Sequence, residues 1–164
     1  MERLTHARGR LTYAQVSRHI SYDPATGVFT RLRNDKRADT SMTIGYRRVR
    51  LSVGKQQHEM LAHRLAWLFL HGEWPENEID HVNGDRSDNR AANIRHVTRK
   101  QNARNISLRS DNRSGVLGVN RHQKGWKVRG AKGYLAYSGC FGRALRIRKM
   151  YEMKNGYHEN HGRR

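Results

Sequence analysis

Acidic residues are scarce in this sequence. Its 164 residues carry 14 Asp and Glu against 33 Lys and Arg, a formal net charge of +19. A compact chain with that imbalance repels itself unless an anion neutralises it. Cysteine is nearly absent: Cys140 stands alone, which excludes an internal disulfide framework and any multi-cysteine zinc site. Apolar residues make up only 35% of the chain, and no run approaches the ~18 needed for a membrane span. No apolar stretch follows the basic opening MERLTHARGR, so no secretory signal is expected and the chain reads as intracellular. A nucleic-acid backbone is the partner that fits, because each phosphate contact releases a condensed counterion. A membrane surface fits less well, since the cations are not gathered on one long amphipathic helix.

Three blocks follow the basic opening, which reads as a mobile arm. In the first, Leu11, Val16 and Ile20 fall at helical spacing behind Thr12, with Gln15 placed for a capping box. Asp23-Pro24 and Gly27 signal a turn, and Val28 to Leu32 alternate as a strand does. The polar stretch 34–43 reads as a loop. YRRVRLSV (46–53) and QHEMLA (57–62) read as a hairpin around Gly54-Lys55, with Val49, Leu51 and Val53 inward and a basic outer face. HRLAWLFLH (63–71) reads as a buried helix ended by Gly72.

The second block, from residue 79, gives a short strand IDHV, a turn-rich loop, a strand IRHV, and a helix capped by Thr98 with Gln101. The third, after Ser110, gives three short strands and a basic helix over 143–154. Leu145, Ile147, Met150 and Met153 are expected on its apolar side, and Cys140 as a small buried hydrophobe.

Chemistry concentrates in IDHVNGDRSDNRAANIRHVTRKQN (79–102). Asp80 and His81 are neighbours on a strand, so they point to opposite sides and address different sides of one phosphodiester. A carboxylate suits a divalent cation, and an imidazole near its ordinary pKa of ~6.5 takes a proton from water. The Asn102 amide oxygen is a hard ligand suited to Mg²⁺ or Mn²⁺. Asn93 is placed to tie the long loop to the backbone and fix the rotamer of His81. Downstream, Arg121, Lys124, Lys127 and Arg129 flank Trp126 on two strands, a basic sheet face suited to phosphate contact and groove insertion.

The pattern IDHVNGD…NRAANIRHVT…N, preceded by AHRLAWLFLHGEWP, resembles the HNH endonucleases, above all their phage and intron-encoded branch. The resemblance implies two strands and a helix around one divalent metal ion per chain, Mg²⁺ or Mn²⁺, and hydrolysis of DNA phosphodiesters. It implies His81 as general base, Asp80 and Asn102 as metal ligands, Asn102 standing where the motif's last histidine would be, and Asn93 as the middle asparagine. Structural zinc is not expected, for want of cysteine pairs. The stretch SGVLGVNRHQKGWKVRG…YLAYSGCFGRALRIRKMYEMKNGYHENHG resembles the plant ethylene-response-factor (Apetala-type) DNA-binding domain. That likeness implies a three-stranded sheet with a helix behind it.

The expectation is an α+β protein in three parts. Residues 1–62 form a strand-rich region lying on DNA through Arg47, Arg48 and Arg50. Residues 63–109 form the ββα-metal core, and residues 110–164 a sheet-and-helix module that holds duplex DNA. A monomer would nick; a double-strand break would need a homodimer or two successive events. The resemblance implies phage or mobile-element origin and action in the bacterial cytoplasm. The rival expectation is a sequence-specific DNA-binding regulator with an inactive nuclease fold. His63 is expected as a hydrogen-bonded core histidine, and Asp85, Asp88 and Asn89 as turn residues.

Overall fold

The computed structural model describes residues 10–106, 108–158 and 161–162; most of the basic opening lies outside them. The chain divides into two compact units, Met1–Val97 and Thr98–Arg164.

The first unit begins with α1 (Tyr13–Val16), a single turn closed by the Thr12–Gln15 capping box. The helix expected up to Ile20 stops there, because Ile20 opens β1 (Ile20–Asp23), which pairs antiparallel with β2 (Val28–Arg31). The turn between them is held by the Asp23 carboxylate, which accepts from Ala25 N and Thr26 Oγ1. β3 (Ser41–Thr43), β4 (Tyr46–Val53) and β5 (Gln56–Leu61) form one antiparallel sheet with β4 central. β3 occupies part of the stretch expected as loop, because its backbone pairs with the basic end of β4.

α2 (Ala62–His71) follows without a break and ends at Gly72 in the left-handed conformation. β6 (Glu78–His81) and β7 (Ile94–Val97) pair antiparallel, with a 3₁₀ turn at Ala91–Asn93 leading into β7. One hydrophobic core runs through all of this, with Val16, Ile20, Phe29, Val49, Leu65, Leu68, Ile79 and Ile94 buried together. It draws on both the strand-rich N-terminal stretch and the strands of the motif. At about 25 cal/mol per Å² of apolar surface removed from water, this shared burial welds the β6–β7 pair to the N-terminal strands.

The second unit opens with α3 (Arg99–Asn102), again capped reciprocally, by Thr98 and Gln101. β8 (Val119–His122), β9 (Gly125–Gly130) and β10 (Gly133–Ser138) form an antiparallel sheet with β9 central. α4 (Phe141–Lys154) packs Phe141, Ala144 and Ile147 against Val119, Trp126 and Val128.

The apolar stripe of α4 is not the expected one. Met150 and Met153 are exposed, and Arg148 is buried in their place. Its guanidinium is satisfied: Nε donates to Glu152 at 2.7 Å, Nη1 to the Arg129 carbonyl, and the group lies 5.5 and 5.2 Å from the Tyr151 and Tyr157 rings. Full pairing is what makes a buried charge tolerable. Cys140 is also a correction: it is exposed, at the N-cap of α4. Among the described residues no helix is long and apolar enough to cross a membrane.

Candidate active site

Strand alternation and the β6–β7 register build the site. Asp80 lies opposite Arg95 and His81 opposite Ile94. Both Asp80 and His81 are buried, at 7% and 4% exposure. Asp80 Oδ2 accepts from Arg95 Nε at 3.0 Å and Nη2 at 2.7 Å, a charge-assisted pair that fixes the carboxylate. Arg95 had no place in the motif reading.

The loop between the strands is a series of side-chain turns. Asn83 Oδ1 accepts from Asp85 N at 2.8 Å, Asp85 Oδ1 from Ser87 N at 2.8 Å, and Asp88 pairs with Arg90 at 2.6 Å. Asn93 closes it. Its Oδ1 accepts from Asn83 N at 2.9 Å, its Nδ2 donates to Asp88 O at 2.8 Å, and its carbonyl accepts from Val82 N at 2.8 Å. The side-chain amide that meets the histidine is another one. Asn89, only 1% exposed, places Oδ1 3.2 Å from His81 Nε2. Asn89 is therefore not merely a turn residue, and no spacing rule singled it out.

Aromatic rings surround His81 on the far side. His63, from the first turn of α2, stands edge-on at 5.2 Å between centroids, and Tyr46 of β4 lies 6.0 Å from His81 and 5.1 Å from His63. Arg86 covers the Tyr46 ring at 4.9 Å. His63 is buried as expected, but its Nδ1 has no hydrogen-bond partner among the described residues. Burial first, then the neighbouring His81 and Arg64, push its pKa down to about 3. The His81 pKa is also lowered, by burial, against the opposing Asn89 hydrogen bond and the charges of Asp80, Asp85 and Asp88. Both imidazoles are thus neutral at ordinary pH, and a neutral imidazole is the form that accepts a proton.

Asn102 ends α3 in the second unit, where its N–H donates to Thr98 O at 2.9 Å. Arg47 turns inward: its Nε donates to Ser87 O and its Nη1 to Asp39 O, both at 3.3 Å. Arg48 and Arg50 share one carboxylate, Glu59, at 2.7 and 2.8 Å.

In the second unit, register separates the predicted set. Trp126 and Arg121 face the side that α4 covers, with the guanidinium 5.3 Å from the indole centroid. Lys127 and Arg129 alternate to the opposite face, opposite Tyr137 and Tyr134. Lys124 lies in the β8–β9 turn.

Residues 60–104 match the family model described as HNH endonuclease. That segment runs from the end of β5 past α3 and contains Asp80, His81, Asn89, Asn93 and Asn102. Over that segment the chain is similar to the HNH endonuclease domain, and its architecture is the mixed α/β one expected. No curated protein matches the chain. Among solved structures it is similar to one titled "DNA binding and cleavage by the HNH homing endonuclease I-HmuI", at 21% identity and a TM-score of 0.46, covering 88% of this chain and 90% of that one.

Proposed function

We propose that the HNH endonuclease domain hydrolyses DNA phosphodiester bonds with His81 as general base and a divalent cation on Asp80 and Asn102. The observation that carries this reading is a buried, neutral histidine beside a buried carboxylate on one strand, inside the matched segment. His81 takes a proton from the attacking water. The water oxygen bonds to phosphorus as the bond to the 3′ oxygen breaks, and the leaving oxygen is protonated from solvent. Asn93 holds the loop in the shape that keeps His81 in place.

The donor chemistry fits one hard cation. A carboxylate and an amide oxygen suit Mg²⁺ or Mn²⁺. Among the described residues no group of three or more His, Cys, Asp or Glu could hold a metal ion, so phosphate oxygens and water would complete the set. When bound, the cation supplies charge stabilisation at the phosphate and the leaving oxygen.

Duplex DNA is the substrate that the +19 charge favours. On the second unit, the face bearing Lys127 and Arg129 is where the sheet would meet it, in the manner of an Apetala-type module. Arg48 and Arg50 would contact phosphates from the first unit. A monomer with one site nicks. The same reading takes the division 1–62, 63–109 and 110–164 as functional parts, and phage or mobile-element DNA in a bacterial cytoplasm as the setting.

The test is supercoiled plasmid with purified protein and Mg²⁺ or Mn²⁺, against chelator and His81→Ala. Nicked circles only with metal and intact His81 are expected. Gel shift without cleavage, on DNA spanning phage and host genomes, would favour a binding protein instead.

A further inference from the structure

We infer that the first unit carries a phosphodiester-binding groove outside the matched segment, between the β1–β2 hairpin and the β4–β5 strands, which seats the backbone of duplex DNA. The inference rests on duplex DNA being the partner, and not on His81 as general base.

The groove is a cavity of about 740 Å³. Arg18 ahead of β1, Arg31 at the end of β2, Arg33 just after it, Arg50 of β4 and Glu59 of β5 all line it. Four guanidinium groups therefore meet one carboxylate, and Glu59 is already shared by Arg50 and Arg48 at 2.8 and 2.7 Å. Among the described residues neither Arg18 nor Arg33 has an acidic partner. A basic run on one strand is usually a solvated face. Here the charges come from separate segments and share one concave surface, where low-dielectric walls focus the field on an anion.

The rest of the lining selects a backbone over other ligands. Its hydrophobe, Leu51, is only 4% exposed, whereas small-molecule pockets are walled by apolar and aromatic side chains. Among the described residues the lining has no Phe, Tyr or Trp on which an unpaired base could stack. Ser52 and Gln57 add neutral donors of the kind that bind phosphate oxygens.

The walls are tied together before any ligand arrives. Arg31 Nη2 donates to the Arg50 carbonyl at 3.1 Å, and Leu32 N donates to the His19 carbonyl at 3.0 Å, which lowers the cost of ordering the site on binding. The hairpin's turn end is fixed to the motif loop. The Tyr22 hydroxyl donates to the Asn89 carbonyl at 2.8 Å, and Ala91 N donates to the Pro24 carbonyl at 2.9 Å. A Cβ on Gly27, whose φ is +71°, would stand 2.5 Å from the Arg90 nitrogen, so only glycine permits the approach. One hairpin thus presents arginines at its open end and abuts the loop after His81 at its turn. Backbone seated in the groove is held at one place relative to the strand of Asp80 and His81.

A merely solvated patch would add only net charge, and the salt dependence of binding separates the two. Full-length wild type, Arg18→Gln/Arg33→Gln and Lys55→Gln are titrated into a labelled DNA duplex by fluorescence anisotropy, with chelator present, across a salt series. All three side chains are exposed, and circular dichroism checks the fold. Each phosphate contact contributes about 0.9 to the slope of log K against log salt, so the double variant is expected to lose about two from the slope. Lys55→Gln, at the β4–β5 turn and outside the groove, is expected to keep the wild-type slope. Gln57→Glu puts a second carboxylate in the lining and is expected to weaken binding on its own.

A folded double variant with the wild-type slope overturns the inference and leaves the nuclease reading standing. So does a Lys55→Gln slope that falls as much per charge, or a folded Gln57→Glu protein with wild-type affinity. A slope loss seen on duplex RNA of the same sequence but not on DNA also overturns it. A wild type that binds no duplex DNA at the lowest salt overturns DNA as the partner, and the groove's assignment with it.

Discussion

Acid should destabilise the first unit through His63 in a way that a single substitution removes. In the folded chain this imidazole is 6% exposed, and its pKa is lowered from 6.5 to about 3, with burial the largest cause. In the unfolded chain it titrates normally. Above the unfolded value both states are neutral and His63 contributes nothing. As pH falls below it, the unfolded state binds a proton that the folded state refuses, so stability falls, and the loss is complete only at the folded value. From pH 7.5 to pH 5 the unfolded group passes about 1.5 units beyond its midpoint, which at ~1.36 kcal/mol per unit is about 2 kcal/mol.

His63→Phe keeps a ring against Tyr46 and His81 and removes the titration. The unpartnered Nδ1 goes with it, which recovers some of the ~1–3 kcal/mol cost of a buried unsatisfied group. Urea unfolding of both proteins at the two pH values, read by Trp67 and Trp74 fluorescence, gives the difference, and contributions shared by both proteins cancel. The variant should gain about 2 kcal/mol relative to wild type on going to pH 5. An identical gap at both pH values would refute a neutral, buried His63.

Glu59 of β5 restrains two arginines of β4, since half-buried Arg48 and exposed Arg50 both pair with it. Glu59→Gln should tighten DNA binding and steepen the dependence of log Kd on log salt by about one to two. An unchanged salt slope would mean these arginines do not reach phosphate. Cys140 should behave as a reactive thiol: its pKa is lowered by the Arg143 and Gly142 amides at the start of α4, so more thiolate is present at neutral pH. Labelling by a disulfide reagent should outpace that of an unstructured cysteine peptide; slower labelling would contradict the exposed position.

Much of this was legible because local signals and burial agree. Thr12 with Gln15 and Thr98 with Gln101 form the capping boxes their spacing announces. The β4–β5 hairpin, α2 with its Gly72 stop, and the β6–β7 pair fall where periodicity placed them. β1 and β3 escaped because short strands are defined by partners distant in sequence, not by their own pattern. On α4, methionine at helical spacing outweighed arginine in the sequence, but two of the groups that pair with buried Arg148 come from β9 and from beyond the helix. Asp80, His81 and Asn93 form a recognisable spacing. Asn89 and Arg95 do not, since the former differs from Asp85 and Asp88 only in being packed beneath the N-terminal hairpin, and the latter is recognised only by cross-strand register.

The reach of that hairpin bears on how such a nuclease can be cut apart and reused. The segment 60–104 contains every residue of the motif, yet Tyr22, Pro24 and Gly27 touch the loop from some sixty residues upstream. A fragment limited to the motif would keep Asp80, His81 and Asn93 and lose the hairpin that packs on the Asn89–Ala91 backbone. In fusion or transplantation work, a piece that keeps the packing of this loop spans Met1–Val97 rather than the matched segment alone.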